Sequence, residues 1–476
     1  MNHTRRQFLK NAGMISIATL LSGNVILNCS KKEKLNILWL IAEDLGPDLG
    51  CYGTRHVKTL NLNRLAREGV QFSNAFTTAP VCSASRSALM TGMYQTTIDA
   101  HHHRSHRDEY DRYILPEPYN VITEYFRQAG YYTCNCSGLD YDKNGKTDWN
   151  FTPIVKAFDG TDWRQRKDGQ AFFAQINFSE VHRMGKRPDK LTVNPDLVDL
   201  PPYYPDHPVT RDDWAEYLST IEVLDQKVGK VLDRLKEDGL EENTIVFFFG
   251  DHGRNHVRGK QWLYDGGIRI PLIIRWPGNL NAGIKNDDMV SAIDFAPTCL
   301  DLAGITPPEH LEGSIFFGSQ RTARDYIIAA RDRCDETEDR IRCVRTPQYK
   351  YIRNFHPDRP YTQYNRYKDA YYPVLRLMHR LHKKNQLTPE QALFMADSRP
   401  QEELYNLTND PHELNNLAEQ QQYQSTLREF RNILDDWIED TGDRGEFPED
   451  PVVVKKYKEA MKEWAQDRID EIYMIE

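Results

Sequence analysis

Leu35-Asn36-Ile37-Leu38-Trp39-Leu40-Ile41-Ala42-Glu43-Asp44 is an almost continuous apolar run closed by two carboxylates. A run of this kind, without polar alternation, reads as a strand buried on both faces. The pattern recurs twice: Ala171 to Phe178 leads into Ser179-Glu180-Val181-His182, and Thr244 to Phe249 leads into Gly250-Asp251-His252-Gly253. Helical patterns lie between these runs. Leu60 to Glu68 stops at Gly69, and Val121 to Gln128 stops near Gly130. Trp214, Tyr217, Leu218, Ile221, Leu224, Val228, Val231 and Leu235 share one face of a long helix that ends before Gly239. Strands alternating with helices predict an α/β fold, a large mostly parallel sheet flanked by helices. Ligands of such sheets bind beyond the carboxyl ends of the strands, which is where this chain puts Asp, Glu and His.

Beyond about Arg324 the texture changes. Ile341 to Thr346 and Tyr349 to Arg353 alternate around Pro347-Gln348 like an antiparallel hairpin, followed by a Tyr- and Arg-rich loop and charged helices. The expected organisation is a catalytic domain over 35–323 and a smaller C-terminal α+β subdomain with a small antiparallel sheet over 324–476.

With 476 residues, 39% hydrophobic and 28% charged, the composition is that of a globular enzyme and excludes a multispan membrane protein or a wholly disordered chain. The net charge of −9 argues against nucleic-acid binding, which needs a basic footprint. The eight cysteines show no disulfide framework. Cys334 and Cys343 can meet across a hairpin or stand as two buried thiols, and Cys134-x-Cys136 lacks the second pair that a zinc ribbon needs.

Residues 1–29 read as an export signal. Thr4-Arg5-Arg6-Gln7-Phe8-Leu9-Lys10 resembles a twin-arginine motif, and the stretch from Ala12 to Leu27 is too short and interrupted to span a bilayer. Ile26-Leu27-Asn28-Cys29 resembles a lipobox, leaving lipidation of Cys29 and simple cleavage nearby both open. The expected location is the periplasm or, through a lipid anchor, the cell envelope.

Chemistry concentrates in Pro80-Val81-Cys82-Ser83-Ala84-Ser85-Arg86-Ser87-Ala88-Leu89-Met90-Thr91-Gly92. Here a Cys stands at the mouth of a short helix, whose free N–H groups and positive dipole end favour an anion, with Arg86 one turn inward. On local physics this is an activated thiol or an ordinary helix start with an incidental Cys. Glu43 and Asp44 at one strand tip and Asp251 at another can converge on a hard, oxygen-seeking cation.

The stretch Cys82-x-Ala84-Ser85-Arg86, with Leu89-x-Thr91-Gly92 after it, resembles the signature of the type I sulfatases, in which the Cys is oxidised to formylglycine. Gly250-Asp251-His252-Gly253, Lys260, Tyr264-Asp265-Gly266-Gly267-Ile268-Arg269-Ile270-Pro271, Arg275-Trp276-Pro277-Gly278 and Leu404-Tyr405-Asn406-Leu407 continue the likeness in order. The resemblance implies an alkaline-phosphatase/sulfatase-like architecture and removal of sulfate esters. It also implies calcium held by Glu43, Asp44, Cys82, Asp251 and His252, formylglycine at Cys82, and a formylglycine-generating enzyme as partner. Roles carried over are nucleophile for Cys82, its support for Arg86, sulfate charge balance for Lys146 and Lys260, leaving-group protonation for His182, and a base for His252.

Two departures from the family stand out. Glu43 replaces the usual Asp, and Gly145-Lys146-Thr147-Asp148 puts Asp148 where a companion His is usual, with Asp140-Tyr141-Asp142-Lys143 as a rival register. The run from His101 to Arg107 lacks metal-ligand spacing and reads as a solvated or pocket-rim basic loop. Its His103, Arg104 and Arg107, with Arg331, Arg333 and Asp335, are the expected contacts to a sulfated oligo- or polysaccharide, algal (ulvan, carrageenan or fucoidan) or glycosaminoglycan. Alternatives are an N-sulfoglucosamine sulfamidase, a phosphomonoesterase or phosphonate esterase of the related architecture, and a surface glycan-binding protein without catalysis.

Overall fold

Asn36–Ala42 (β1) is buried along its whole length and occupies the middle of an eight-stranded sheet. A computed structural model describes residues 34–475 except Asp108 and Lys186, so the twin-arginine segment and Cys29 lie outside the described residues. The other strands are Val70–Phe76 (β2), Tyr132–Ser137 (β3), Asp140–Asn144 (β4), Phe172–Phe178 (β5), Thr244–Gly250 (β6), Arg269–Arg275 (β7) and Ile284–Ser291 (β8). Their order is β4-β3-β5-β1-β6-β7-β2-β8. Only β4 and β7 run against the rest, so the sheet is mixed and mostly parallel.

The run around Trp39 forms a central strand because both of its faces are covered. On one face Trp39 meets Phe173 and Phe249 edge-on, with ring centroids 5.0 and 5.5 Å apart. On the other, Leu38 and Leu40 share a cluster with Leu218, Ile221 and Leu224. Each such side chain contributes about 1.5–3 kcal/mol on burial.

The helices are Leu60–Glu68 (α1), Cys82–Thr91 (α2), Ile122–Gln128 (α3), Pro208–Glu237 (α4), Asp265–Ile268 (α5), Phe295–Leu302 (α6), Arg366–Tyr371 (α7), Pro373–Lys383 (α8), Pro389–Ala392 (α9), Gln424–Thr441 (α10) and Pro451–Ile475 (α11). The apolar stripe of α4 begins at Trp214, but the helix starts earlier. Pro208 occupies its first turn, and His207 Nδ1 accepts the Val209 N–H at 3.2 Å as a cap.

A second, antiparallel sheet orders Glu402–Asn406 (β12), Tyr349–Asn354 (β11), Ile341–Arg345 (β10) and Ile327–Arg331 (β9) side by side. The β10–β11 hairpin pairs Arg345 with Lys350 and Cys343 with Ile352. Helix α10 buries Leu427, Phe430, Leu434 and Trp437 in the same cluster as Ile328, Val344 and Leu404 of this sheet. All seven described cysteines are free, and Cys334 and Cys343 are buried thiols. No helix among the described residues is long and apolar enough to cross a membrane.

Candidate active site

Parallel pairing of β1 with β5 and β6 brings three strand exits to one edge of the sheet. At the first exit Asp44 takes a left-handed backbone, φ 57°, and its N–H donates to Asp251 Oδ1 at 3.0 Å. This bond ties the acid beyond β1 to the acid beyond β6. From β2 the chain crosses the same edge and enters α2, whose first residue is Cys82. The helix is fully buried and anchored to β6 through Ser85, whose hydroxyl donates to the Asp251 carbonyl.

Around Cys82 Sγ stand His252 Nε2 at 3.2 Å, Lys260 Nζ at 3.3 Å and Asp44 Oδ1 at 3.8 Å. Lys260 also reaches Asp44 Oδ1 at 2.9 Å and lies 3.4 Å from His182 Nε2. His182 Nδ1 accepts the Met184 N–H at 3.2 Å, which turns Nε2 toward the cluster, where the donor-only Lys260 ammonium faces it. Burial, reinforced by Lys260 against the pull of Asp44, depresses the His182 pKa to about 4.

Arg86, one turn into α2, donates from Nε to Asp251 Oδ2 at 3.0 Å and from Nη1 to Asn177 Oδ1 at 2.6 Å. Its Nη2 is buried without a hydrogen-bond partner and lies 4.0 Å from Glu43 Oε1. Lys146 Nζ reaches Glu43 Oε2 at 3.1 Å and Asp148 Oδ2 at 3.3 Å, and Arg107 closes on the other oxygen of Asp148. Burial disfavours the Asp148 carboxylate, but Lys146, Arg107 and Arg104 outweigh it and hold the acid well below its usual range. The register through Lys146 and Asp148 is thus the one at the site, while Asp140–Lys143 belong to the largely exposed strand β4.

The donor set suits a hard cation. Asp44 Oδ1 and His252 Nε2 are 3.0 Å apart, Asp251 Oδ1 is 3.7 Å from the same nitrogen, and Glu43 flanks them from β1. Burial works against charging His252, yet Asp251, Cys82 and Asp44 push its pKa up to about 10. Lys260, Arg86 and Lys146 already meet Asp44, Asp251 and Glu43, and the converging carboxylate oxygens match calcium-type coordination.

Comparisons with known proteins agree with this geometry. The family model described as Sulfatase matches residues 35–305, and one described as N-sulphoglucosamine sulphohydrolase, C-terminal, matches 250–388. An "Ulvan-active sulfatase" of Formosa agariphila is 36% identical over 473 residues, covering 89% of this chain and 78% of that protein. The chain belongs to the sulfatase family. A human N-sulphoglucosamine sulphohydrolase is 27% identical, over 88% of this chain and 93% of that one. A solved structure described as a "2-O GAG sulfatase" shares the fold, with a TM-score of 0.62, 22% identity and coverage of 89% and 96%. The protein is accordingly a sulfuric ester hydrolase.

In this sulfatase the structure gathers Glu43, Asp44, Cys82, Arg86, Lys146, His182, Asp251, His252 and Lys260 into one cluster. The basic run after α2 departs from its sequence reading. It is not a solvated loop: His101 and His103 are 4% and 3% exposed. His103 N–H donates to the Arg333 carbonyl at 2.9 Å and its ring meets Asp335 at 3.0 Å, while Asn150 Nδ2 bonds the carbonyls of His101's neighbours Ala100 and His102. Arg104 stays near the nucleophile position, its N–H donating to Ser83 Oγ at 2.9 Å.

Arg331 and Arg333 do not line an open rim either. Arg331 is buried against Asp339 at 2.6 Å, and Arg333 is paired with Glu449 just before α11. Asp335 is likewise buried, accepting from Asn365 and from Gln261, the neighbour of Lys260. Sequence reasoning missed Asn177, which bridges Arg86 and Asn135. Its signal was an amide interrupting the apolar run of β5 one residue before the strand ends.

Proposed function

We propose that this sulfatase removes sulfate from sulfated oligo- or polysaccharides, with formylglycine derived from Cys82 and a calcium ion held by Glu43, Asp44, Asp251 and His252. The observation that carries the reading is Cys82 at the first turn of α2, within 3.3 Å of both His252 and Lys260 and beside Asp44. When present, formylglycine supplies the nucleophilic oxygen and calcium the positive charge that polarises it and the sulfate.

The protein's own groups do the rest. Free N–H groups at the start of α2, with Lys146 and Lys260, hold the sulfuryl oxygens, and the low-dielectric pocket strengthens each contact. His182 Nε2 faces the leaving oxygen and would pass it a proton from the charged imidazolium, the form that a bound sulfate's negative charge favours. Arg86, itself held by Asn177, fixes Asp251, and through it the backbone of Asp44. His252 Nε2, 3.2 Å from Cys82 Sγ, stands beside the oxygen that formylglycine would carry. Arg104 and Arg107 border the sugar, which is supported by the Arg104–Ser83 and Arg107–Asp148 contacts.

Residues 1–29 serve export by the twin-arginine route, with Cys29 a lipidation position, 35–323 form the catalytic domain and 324–476 the C-terminal subdomain. A formylglycine-generating enzyme acts on Cys82 before or during export. The relative of Formosa agariphila favours an algal polysaccharide. The matched C-terminal family model favours a second reading, an N-sulfated glucosamine substrate.

Intact-mass analysis of the mature protein reports formylglycine directly, and ion chromatography measures released sulfate. The expected result is conversion at Cys82 and release from sulfated oligosaccharides, with little from p-nitrophenyl sulfate, because sugar contacts contribute only when a sugar is present. Release from N-sulfoglucosamine alone would select the second reading. An unmodified thiol and no release from any ester would overturn both.

A further inference from the structure

Helix α11 comes from the far end of the chain, yet one of its side chains reaches the loop that carries Arg104. On its outer side Lys458 pairs with Glu338 at 2.6 Å. Its inner side is fixed to α7, where Ala465 and Ile469 pack on Ala370 and Trp464 stacks on Tyr371 with ring centroids 5.7 Å apart. Tyr457 lies on the same face, about two turns earlier. Arg333 covers its ring at 4.6 Å, and its hydroxyl donates to Asp335 Oδ1 at 3.3 Å. The hydroxyl is also within hydrogen-bonding reach of the Arg104 guanidinium. Burial, with Asp335 beside it, raises the Tyr457 pKa above its ordinary value against the pull of Arg104 and Arg333. The phenol therefore keeps the proton it donates to Asp335 and leaves its oxygen lone pairs to Arg104.

Asp335 is a fixed point for this contact. Its second oxygen accepts from Asn365 Nδ2 at 3.1 Å and from Gln261, the residue after Lys260. His103, the residue before Arg104, meets Oδ1 at 3.0 Å.

Arg104 differs from its basic neighbours. Arg107, Arg331 and Arg333 each pair with a carboxylate, whereas no carboxylate among the described residues lies within ion-pair distance of Arg104. Its Nε is buried without a hydrogen-bond partner, and its left-handed backbone, φ 59°, is pinned by the N–H bond to Ser83 Oγ at 2.9 Å. Ser83 adjoins Cys82, and Tyr457, Asp148, Asp335 and Cys82 are all near enough to act on the Arg104 charge. A guanidinium beside the nucleophile position that no acid of the chain pairs with is suited to an anion of the ligand. Tyr457 is the neutral group among these neighbours that holds it without cancelling its charge.

We propose that Tyr457 is a positioning residue of the active site, which aims the Arg104 guanidinium at an anionic group of the sulfated sugar and makes α11 part of the substrate wall. The proposal rests on the sulfatase reading of the Cys82 cluster.

The test is a double-variant cycle in full-length Cys82→Ala protein, so that binding is read without turnover. Calorimetry over a panel of sulfated fragments of ulvan, carrageenan, fucoidan and glycosaminoglycans selects the tightest binder as the probe. Tyr457→Phe keeps the ring under Arg333 and removes only the hydroxyl. It should weaken the probe's binding about tenfold with an unchanged melting temperature. Arg104→Ala should weaken it further, and adding Tyr457→Phe to Arg104→Ala should then cost less than about twofold, because the phenol has nothing left to aim. The binding stoichiometry counts folded sites, so a misfolded fraction lowers that number and not the affinity. With Cys82 intact, the Tyr457→Phe loss should fall on KM and not on kcat. Losses that multiply in the double variant, a single variant that binds like its parent, or no binding by any fragment of the panel would each overturn the proposal.

Sulfate release separates the two readings. Coupled losses of binding with no release from any ester keep the Tyr457–Arg104 pair and remove the sulfatase reading. Release with uncoupled losses removes the role of Tyr457 and keeps the sulfatase.

Discussion

Lys260 spans both carboxylate oxygens of Asp44, 2.9 Å from Oδ1 and 3.1 Å from Oδ2. The two residues are far apart in sequence, and their pairing joins the loop after β6 to the exit of β1 directly over Cys82. Burial would disfavour the Asp44 carboxylate, but Lys260, His182 and His252 hold it ionised well below its usual range. Charge at the site is thus arranged before any sulfate arrives, the condition under which electrostatic stabilisation of a transition state costs no reorganisation.

Replacing Cys82 with Ala should abolish sulfate release while leaving the fold intact, because it removes the nucleophile's precursor and very little buried volume. Sulfate assay and thermal melting on the same preparation check this. Substantial release by folded Cys82→Ala protein would remove the formylglycine mechanism.

Asp44→Ala and Asp251→Ala should each lose bound calcium and most activity, since each deletes an anionic oxygen from a buried site that has no substitute. Calcium at about 100 times its Kd should stabilise the unsubstituted protein by about 2.7 kcal/mol and the variants by much less. Elemental analysis provides the independent readout. Full zinc occupancy without calcium would instead favour phosphatase-type chemistry.

His182→Ala should lower kcat on sugar sulfates by about 10²–10⁴-fold, the usual contribution of a positioned proton donor. The loss on p-nitrophenyl sulfate should be much smaller, because nitrophenolate leaves without protonation. Equal losses on both esters would assign His182 to binding rather than to proton transfer.

The parts that were legible in the sequence are those set by local pattern. The β1, β5 and β6 runs have no polar alternation, and the acids at their tips follow from the strand exits. The hairpin of β10 and β11 follows from alternation around Pro347-Gln348. Other features depend on partners distant in the chain. Strand β7 runs against its neighbours, yet Arg269–Arg275 reads like any buried strand, because direction is decided by the path of the 251–268 connection from β6. The histidines after α2 looked solvated because their burial is created by Arg333, Asp335 and Asn150. Arg331 and Arg333 looked available because Asp339 and Glu449 are not their helical or strand neighbours.

The same buried histidines predict a pH dependence of stability. His101 has no hydrogen-bond partner on either ring nitrogen, and Asp99, 3.9 Å away, does not compensate. Burial, with Arg342 nearby, lowers its pKa to about 3 from the ordinary 6.5. Between those values the unfolded chain binds the proton that the folded chain refuses, so stability is full above about pH 6.5 and falls as pH drops toward 3. The slope from this one group approaches about 1.4 kcal/mol per pH unit. His103 and His256, both depressed to about 4 mainly by burial, act in the same direction. His101→Phe keeps a planar ring and removes the titration. Urea unfolding of parent and variant between pH 4.5 and 7 should therefore show the parent losing stability more steeply toward acid pH, with the variant's slope shallower by about one proton. Parallel pH profiles would show that His101 takes up its proton in the folded protein and is not shielded as its burial implies.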